Sequence, residues 1–92
     1  MAKVRVPRKG VTQSELATVL SRRLGAQFQV MADGNAGVIA RRSSLSAAVV
    51  RINSVPGATV FRVRGVGVPV VSLGAARMVA DALRRSPEFR AI

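Results

Sequence analysis

The sequence predicts a two-layer α+β domain, in which an antiparallel four-stranded meander carries two helices on one face. The predicted order is α-β-β-β-β-α, with a possible short N-terminal strand. Three observations predict this layout. Apolar residues recur with a helical period near both ends of the chain, they alternate with polar residues in between, and turn-forming residues separate the alternating segments. We expect residues 1–92 to form a single domain, a common size for one hydrophobic core.

The first helix is predicted over residues 13–24. Thr12 and Glu15 have the T-x-x-E spacing of a capping box. In that motif the threonine hydroxyl accepts a hydrogen bond from an amide of the first turn, and the glutamate reaches back to the threonine N–H. Gly25 is the residue type expected just after a helix end. These start and stop signals agree with the apolar stripe between them, which is typical of a helix that packs on one side.

The middle of the chain predicts four strands, at residues 27–30, 38–41, 47–52 and 59–64. Pro56 and Gly57 suit the central positions of a type II turn between the last two strands. With residues 54–57 taken as the loop, Asn53 faces Ala58, and the pairing continues outward from there. The strand order is then a simple meander.

This pairing predicts a sheet face that mixes arginine with valine. Its members are Arg51, Arg62, Arg64, Val49 and Val60. The opposite face is apolar, and we expect it to pack under the helices. The register of the hairpin within residues 27–42 stays open, so the sequence does not decide whether Arg41 or Arg42 joins the same face.

The last helix is predicted from near Ser72 to Arg85, and Ser86–Pro87 ends it. The glycine- and valine-rich residues 65–71 are interpreted as an apolar connection into that helix. At the other end of the chain, residues 1–10 form either a basic arm or a short strand at Lys3–Val6, and the sequence leaves both open.

The positive charge is unevenly distributed along the chain. There are 15 Lys and Arg against four Asp and Glu, a net charge of +11. Residues 11–40 are neutral overall, whereas residues 1–10 and 41–64 hold nine of the eleven net charges and no acid. The basic residues of the N-terminal arm are Lys3, Arg5, Arg8 and Lys9. We therefore expect the arm and the arginine-bearing sheet face to be the two basic surfaces.

Two functions from different classes fit these features. The first is a small interaction module that self-associates as a homo-oligomer through a sheet face or edge, with Val49 and Val60 at the interface, because arginine and apolar residues together are typical of protein interfaces. The alternative is sequence-nonspecific binding of nucleic acid or another polyanion through the arm and the sheet arginines. Only three Phe and no Trp or Tyr are present, so an aromatic platform for stacking bases is not expected.

The chain has few side chains of the types that catalyse reactions. Without Cys or His there is no thiolate nucleophile, no imidazole base and no His or Cys metal ligand. The carboxylates are interpreted as separate: Glu15 in a cap, Asp33 in a turn, Asp81 on a helix surface and Glu88 alone near the C-terminus. We expect a non-enzymatic protein with no cofactor and no metal. The absence of a long apolar segment predicts no membrane partner and a cytoplasmic location.

Two segments of the C-terminal part, PGATVFRVRG at 56–65 and GAARMVADALRRSP at 74–87, resemble small actinobacterial proteins of unassigned function. The resemblance covers the C-terminal third of the chain. It implies a small α+β domain and assigns no site residue.

Overall fold

The computed structural model describes residues 2–89, which form a five-stranded antiparallel sheet and two helices. The strands are β1 Ala2–Val6, β2 Gln29–Ala32, β3 Gly37–Ser43, β4 Ser46–Val55 and β5 Ala58–Gly67. The helices are α1 Gln13–Leu24 and α2 Pro69–Arg85, each followed by a short 3-10 turn. The strand order across the sheet is β1-β5-β4-β3-β2. The predicted α+β layout is confirmed, and the N-terminal segment joins the sheet as a fifth strand beside β5.

The β4–β5 hairpin closes with a tighter turn than the sequence predicts. Val55 pairs with Ala58, so the loop contains only Pro56 and Gly57, and the predicted pairing of Asn53 with Ala58 is wrong by two residues. Gly57 has a φ of 77°, which a type II turn requires at its second central position. Because the shift is an even number of residues, every side chain stays on its predicted face.

The segment ends differ from prediction at three places. The Thr12 side chain accepts from the Glu15 backbone N–H at 3.1 Å, but the Glu15 carboxylate pairs with Arg8 instead of completing the capping box. Gln27 belongs to the 3-10 turn after α1, so β2 begins two residues later than expected. Helix α2 begins earlier, at Pro69. Proline is favourable in the first helical position, because the backbone N–H that it lacks would have no partner within the helix there.

The core lies between the helices and one face of the sheet. Helix α2 packs over β1, β5 and β4, while α1 packs over β2 and β3 and against α2. Phe61 of β5 and Phe89 from the turn after α2 are both fully buried, with ring centroids 5.1 Å apart. Such a pair adds to the apolar burial that holds the C-terminal segment on the sheet.

Gly65 allows α2 to approach β5 closely. The backbone carbonyl oxygen of Ser72, in the first turns of α2, would lie 2.6 Å from a Cβ atom placed on Gly65. The predicted interpretation of residues 65–71 as a connection is therefore wrong in part, because Gly65–Gly67 complete β5 and Pro69 already belongs to α2.

The sequence suggested that Glu88 stands alone, but in the structure it links the turn after α2 to α1. Its carboxylate accepts from Arg23 at 2.8 Å and from Arg22 at 3.2 Å, and its backbone carbonyl accepts from Arg8 at 2.8 Å. The hydrogen bond from Arg23 is the main cause that lowers the pKa of Glu88 below its ordinary value of 4.5. Sequence spacing gives no sign of this group, because the three arginines are 65 to 80 residues from Glu88 along the chain.

We expect Gly65→Ala to destabilise the fold by about 1–3 kcal/mol, the usual cost of overpacking, since the Ser72 carbonyl must move. Gly74→Ala is the matched control. It lies within α2 with no atom within 4 Å of an added Cβ, and alanine there is expected to stabilise the helix by up to about 1 kcal/mol. Urea unfolding measures both free energies, and equal effects of the two substitutions would contradict the close approach.

The Glu88 pairs predict a pH-dependent contribution to stability. Because the folded pKa lies below 4.5, ionised Glu88 stabilises the fold above that pH, and the contribution is lost as the pH falls through the lowered value. We expect Glu88→Gln to lower the free energy of unfolding at pH 7, with the difference from wild type disappearing in acid. Asp81→Asn is the control, because the Asp81–Arg85 pair is largely exposed, and its effect should be smaller. A difference that persists unchanged at pH 2 would contradict the role of Glu88.

Candidate nucleic-acid interface

The sheet face opposite the helices carries a basic residue on four of its five strands. Side chains alternate along each strand, so the pairing register decides which residues share this face. Its exposed cations are Lys3 and Arg5 of β1, Arg62 and Arg64 of β5, Arg51 of β4 and Arg41 of β3. We call these six residues the basic face.

Three of these cations lie directly opposite one another across three strands. Lys3 pairs with Arg62, and Arg62 pairs with Arg51. Adjacent strands are about 4.8 Å apart, so this row concentrates three positive charges within about 10 Å. Like charges in directly opposed positions destabilise a sheet, because their repulsion is not compensated within the pair.

The carboxylates within residues 2–89 do not neutralise this row. All ion pairs formed there lie in the helical layer, where Glu15, Glu88 and Asp81 bind Arg8, Arg22, Arg23 and Arg85. Asp33 follows β2 at the end of the row and forms no ion pair within the described residues. The basic face therefore presents its charge to solvent or to a partner.

An apolar floor lies between the arginines. Val49 pairs with Arg64 on one side and with Ile39 on the other, and it is only 7% exposed although neither α1 nor α2 covers this face. A shallow pocket of about 160 Å³ is lined by Val49 together with Arg51, Arg62 and Arg64. Arginine stems are aliphatic and can pack on an apolar floor while their guanidinium groups reach solvent.

Five of the residues expected from sequence to bind a partner meet on this face. They are Lys3, Arg5, Arg51, Arg62 and Arg64. The structure also decides the open choice between the two neighbouring arginines of β3, because Arg41 lies on the face, opposite Ala47, whereas Arg42 donates to the Met78 sulfur on α2.

The other predicted residues lie elsewhere or are partly covered. Arg8 is engaged with Glu15 and the Glu88 carbonyl in the helical layer, and Lys9 is an exposed residue of the loop after β1. Val60 is half-buried on the basic face, between Arg5 and Asn53. Sequence reasoning missed Ile39 on this face, although the alternation of residues 37–41 was a signal for it.

The basic face offers cations and aliphatic contacts, and no aromatic ring. All three phenylalanines are buried: Phe28, Phe61 and Phe89. Among residues 2–89, no three side chains of the metal-ligating types come together in one group. Within the same part of the chain, no helix is both long and apolar enough to cross a membrane.

Comparison of the chain with protein-family models, with curated proteins and with solved structures gave no match. The resemblance of the C-terminal third to small actinobacterial proteins therefore stays a prediction. Any functional conclusion rests on the surface of this molecule itself.

Proposed function

We propose that this protein is a non-enzymatic, sequence-nonspecific nucleic-acid-binding module that uses its basic face. The observation that carries the proposal is the row of Lys3, Arg62 and Arg51, three directly opposed cations with no ion-pair partner within residues 2–89. An arrangement that costs stability in the free protein becomes favourable when phosphates neutralise it. Release of condensed counterions from the nucleic acid adds to that gain.

The shape of the face favours contact with several phosphates of one strand. Four strands contribute cations, so the charges extend across most of the width of the sheet. Guanidinium groups bind phosphate oxygens through two parallel hydrogen bonds. Four of the six cations of the basic face are arginines of β3, β4 and β5. The pocket that Val49 and three of these arginines line offers apolar surface on which sugar and base carbons can pack between the charges.

The same face gives little means of reading a base sequence. The buried phenylalanines cannot stack on bases, which removes the aromatic platform used by many single-strand binders. Within residues 2–89, no helix or extended hairpin rises from the face to enter a major groove, because α1 and α2 both pack on the other side of the sheet. Binding through phosphate contacts is sequence-independent, and we expect little preference among sequences.

Self-association through this same face is less favourable than nucleic-acid binding. Two basic faces packed together would bring twelve cations into one interface without an acid from any of the five strands. The predicted anchor Val49 is only 7% exposed, so it offers little surface to a second copy. A self-associating module, the other function predicted from sequence, therefore needs a different surface.

We expect Arg51→Gln combined with Arg62→Gln to weaken binding to duplex and single-stranded DNA of mixed sequence alike. The salt dependence for the duplex should fall by about two phosphate contacts, since each lost contact lowers the slope by about 1. The charge-matched control is Arg77→Gln combined with Arg84→Gln, two exposed arginines of α2 in the helical layer. Fluorescence anisotropy between about 50 and 200 mM salt measures both quantities.

Two results would contradict the proposal. One is the absence of wild-type binding to either nucleic acid at the lowest salt. The other is an equal loss of affinity in the two double variants, since that would make net charge alone responsible and leave the basic face without a special role.

A further inference from the structure

We propose that the exposed edge of β2 pairs with the β2 edge of a second copy, forming a symmetric dimer with one continuous ten-stranded sheet. This inference does not depend on the proposed nucleic-acid binding, because the pairing is made by backbone groups at the rim of the sheet. Arg41 is the residue of the basic face that lies near the contact.

The ladder between β2 and β3 decides which backbone groups face this edge. Asp33 donates its backbone N–H to the Gly37 carbonyl at 3.0 Å, so this is a hydrogen-bonded pair. Hydrogen-bonded and non-hydrogen-bonded pairs alternate along an antiparallel ladder. The N–H and C=O groups of Val30 and Ala32 therefore point away from β3. Within residues 2–89, no side chain and no other segment of backbone binds them.

The two edges of the sheet differ in how they are protected against pairing. The strand β1 carries Lys3 and Arg5 and is followed at once by Pro7, and charges and proline at an edge discourage association. The sequence of β2, Gln-Val-Met-Ala, contains neither a charge nor a proline. Only β2 is thus a suitable template for a further strand.

A two-fold axis between the Met31 residues of the two copies gives a hydrogen-bond partner to each outward N–H and C=O group of Val30 and Ala32. In that register Val30 of each copy pairs with Ala32 of the other, giving two pairs that exchange four hydrogen bonds. The Met31 side chains, each 46% exposed in one copy, then meet at the axis. Because α1 packs over β2 and β3, the two α1 helices come to lie side by side and add side-chain contact.

Electrostatics favours a second copy at this edge over any other part of the surface. Residues 11–40, which contain α1 and β2, have no net charge, whereas the rest of the chain is strongly positive. In the Met31 register, Asp33 of one copy lies opposite Gln29 of the other, and Gln29 is itself paired with Arg41. An acid of each copy thereby approaches a cation of the other.

A second exposed surface of the molecule is the competing place for a dimer contact. Apolar residues cluster where β5 leads into α2 and at the nearby β3–β4 turn, and we call them the apolar tip: Leu45, Val66, Val68, Val70, Val71 and Leu73. Leu73 is 61% exposed. Nothing at the apolar tip defines a geometry for self-pairing, whereas the β2 edge supplies unpaired backbone groups in a symmetric register.

The test is the mass in solution of the wild-type 92-residue chain and four variants, measured by sedimentation equilibrium at moderate salt to screen the net charge. We expect twice the chain mass for the wild type and a twofold lower mass for Ala32→Pro, which removes an N–H that faces the edge and breaks no ladder bond of the monomer. Ala32→Ser keeps that N–H and should remain a dimer. Leu73→Ser, at the apolar tip, should also remain a dimer.

Met31→Lys covers the case in which Ala32→Pro fails to fold, as judged by circular dichroism. It places a charge at the two-fold axis on a side chain that is exposed in the monomer, so we expect a folded monomer. A monomeric wild type at high concentration would overturn the proposal. So would a dimer that persists in a folded Ala32→Pro variant and in Met31→Lys, or a dimer that Leu73→Ser alone dissociates.

Discussion

The two-residue turn between β4 and β5 holds these central strands in one register, and both faces of the sheet depend on that register. β1 and β3 pair on either side of the hairpin, so they inherit its alternation. A slip by one residue would turn Phe61 and Val63 to solvent and bring Arg62 and Arg64 under the helices. Burying unpaired guanidinium groups is very costly, so apolar burial on one face and charge on the other stabilise the same pairing.

Three of the four acids of the chain lie in the helical layer, away from the basic face. Glu88 and Glu15 bind arginines of α1 and of the loop before it, and these contacts join that loop and the turn after α2 to α1. The cost of this arrangement is repulsion along the row formed by Lys3, Arg62 and Arg51 on the other side. Within residues 2–89 no ion pair neutralises this row, and that charge is the basis of the proposed binding to nucleic acid.

The basic face and the β2 edge use different parts of the chain for recognition. The face presents side chains, and its charge is directed perpendicular to the sheet. The edge presents backbone groups of Val30 and Ala32 within the plane of the sheet. Pairing at the edge would therefore leave the face open, and it would place two basic faces side by side on one surface. The longer surface is suited to a longer stretch of polyanion.

The sequence by itself determined what depends on near neighbours. The helix at residues 13–24, the Pro56–Gly57 turn and the sharing of one face by the arginines of β4 and β5 all follow from caps, turn chemistry and alternation, which act over a few residues. Only the tertiary structure decided that Lys3–Val6 pairs with β5, that Arg41 lies on the basic face, and that Glu88 holds α1. These features depend on contacts between residues that are distant along the chain. Local periodicity contains no information about which distant segments pack together.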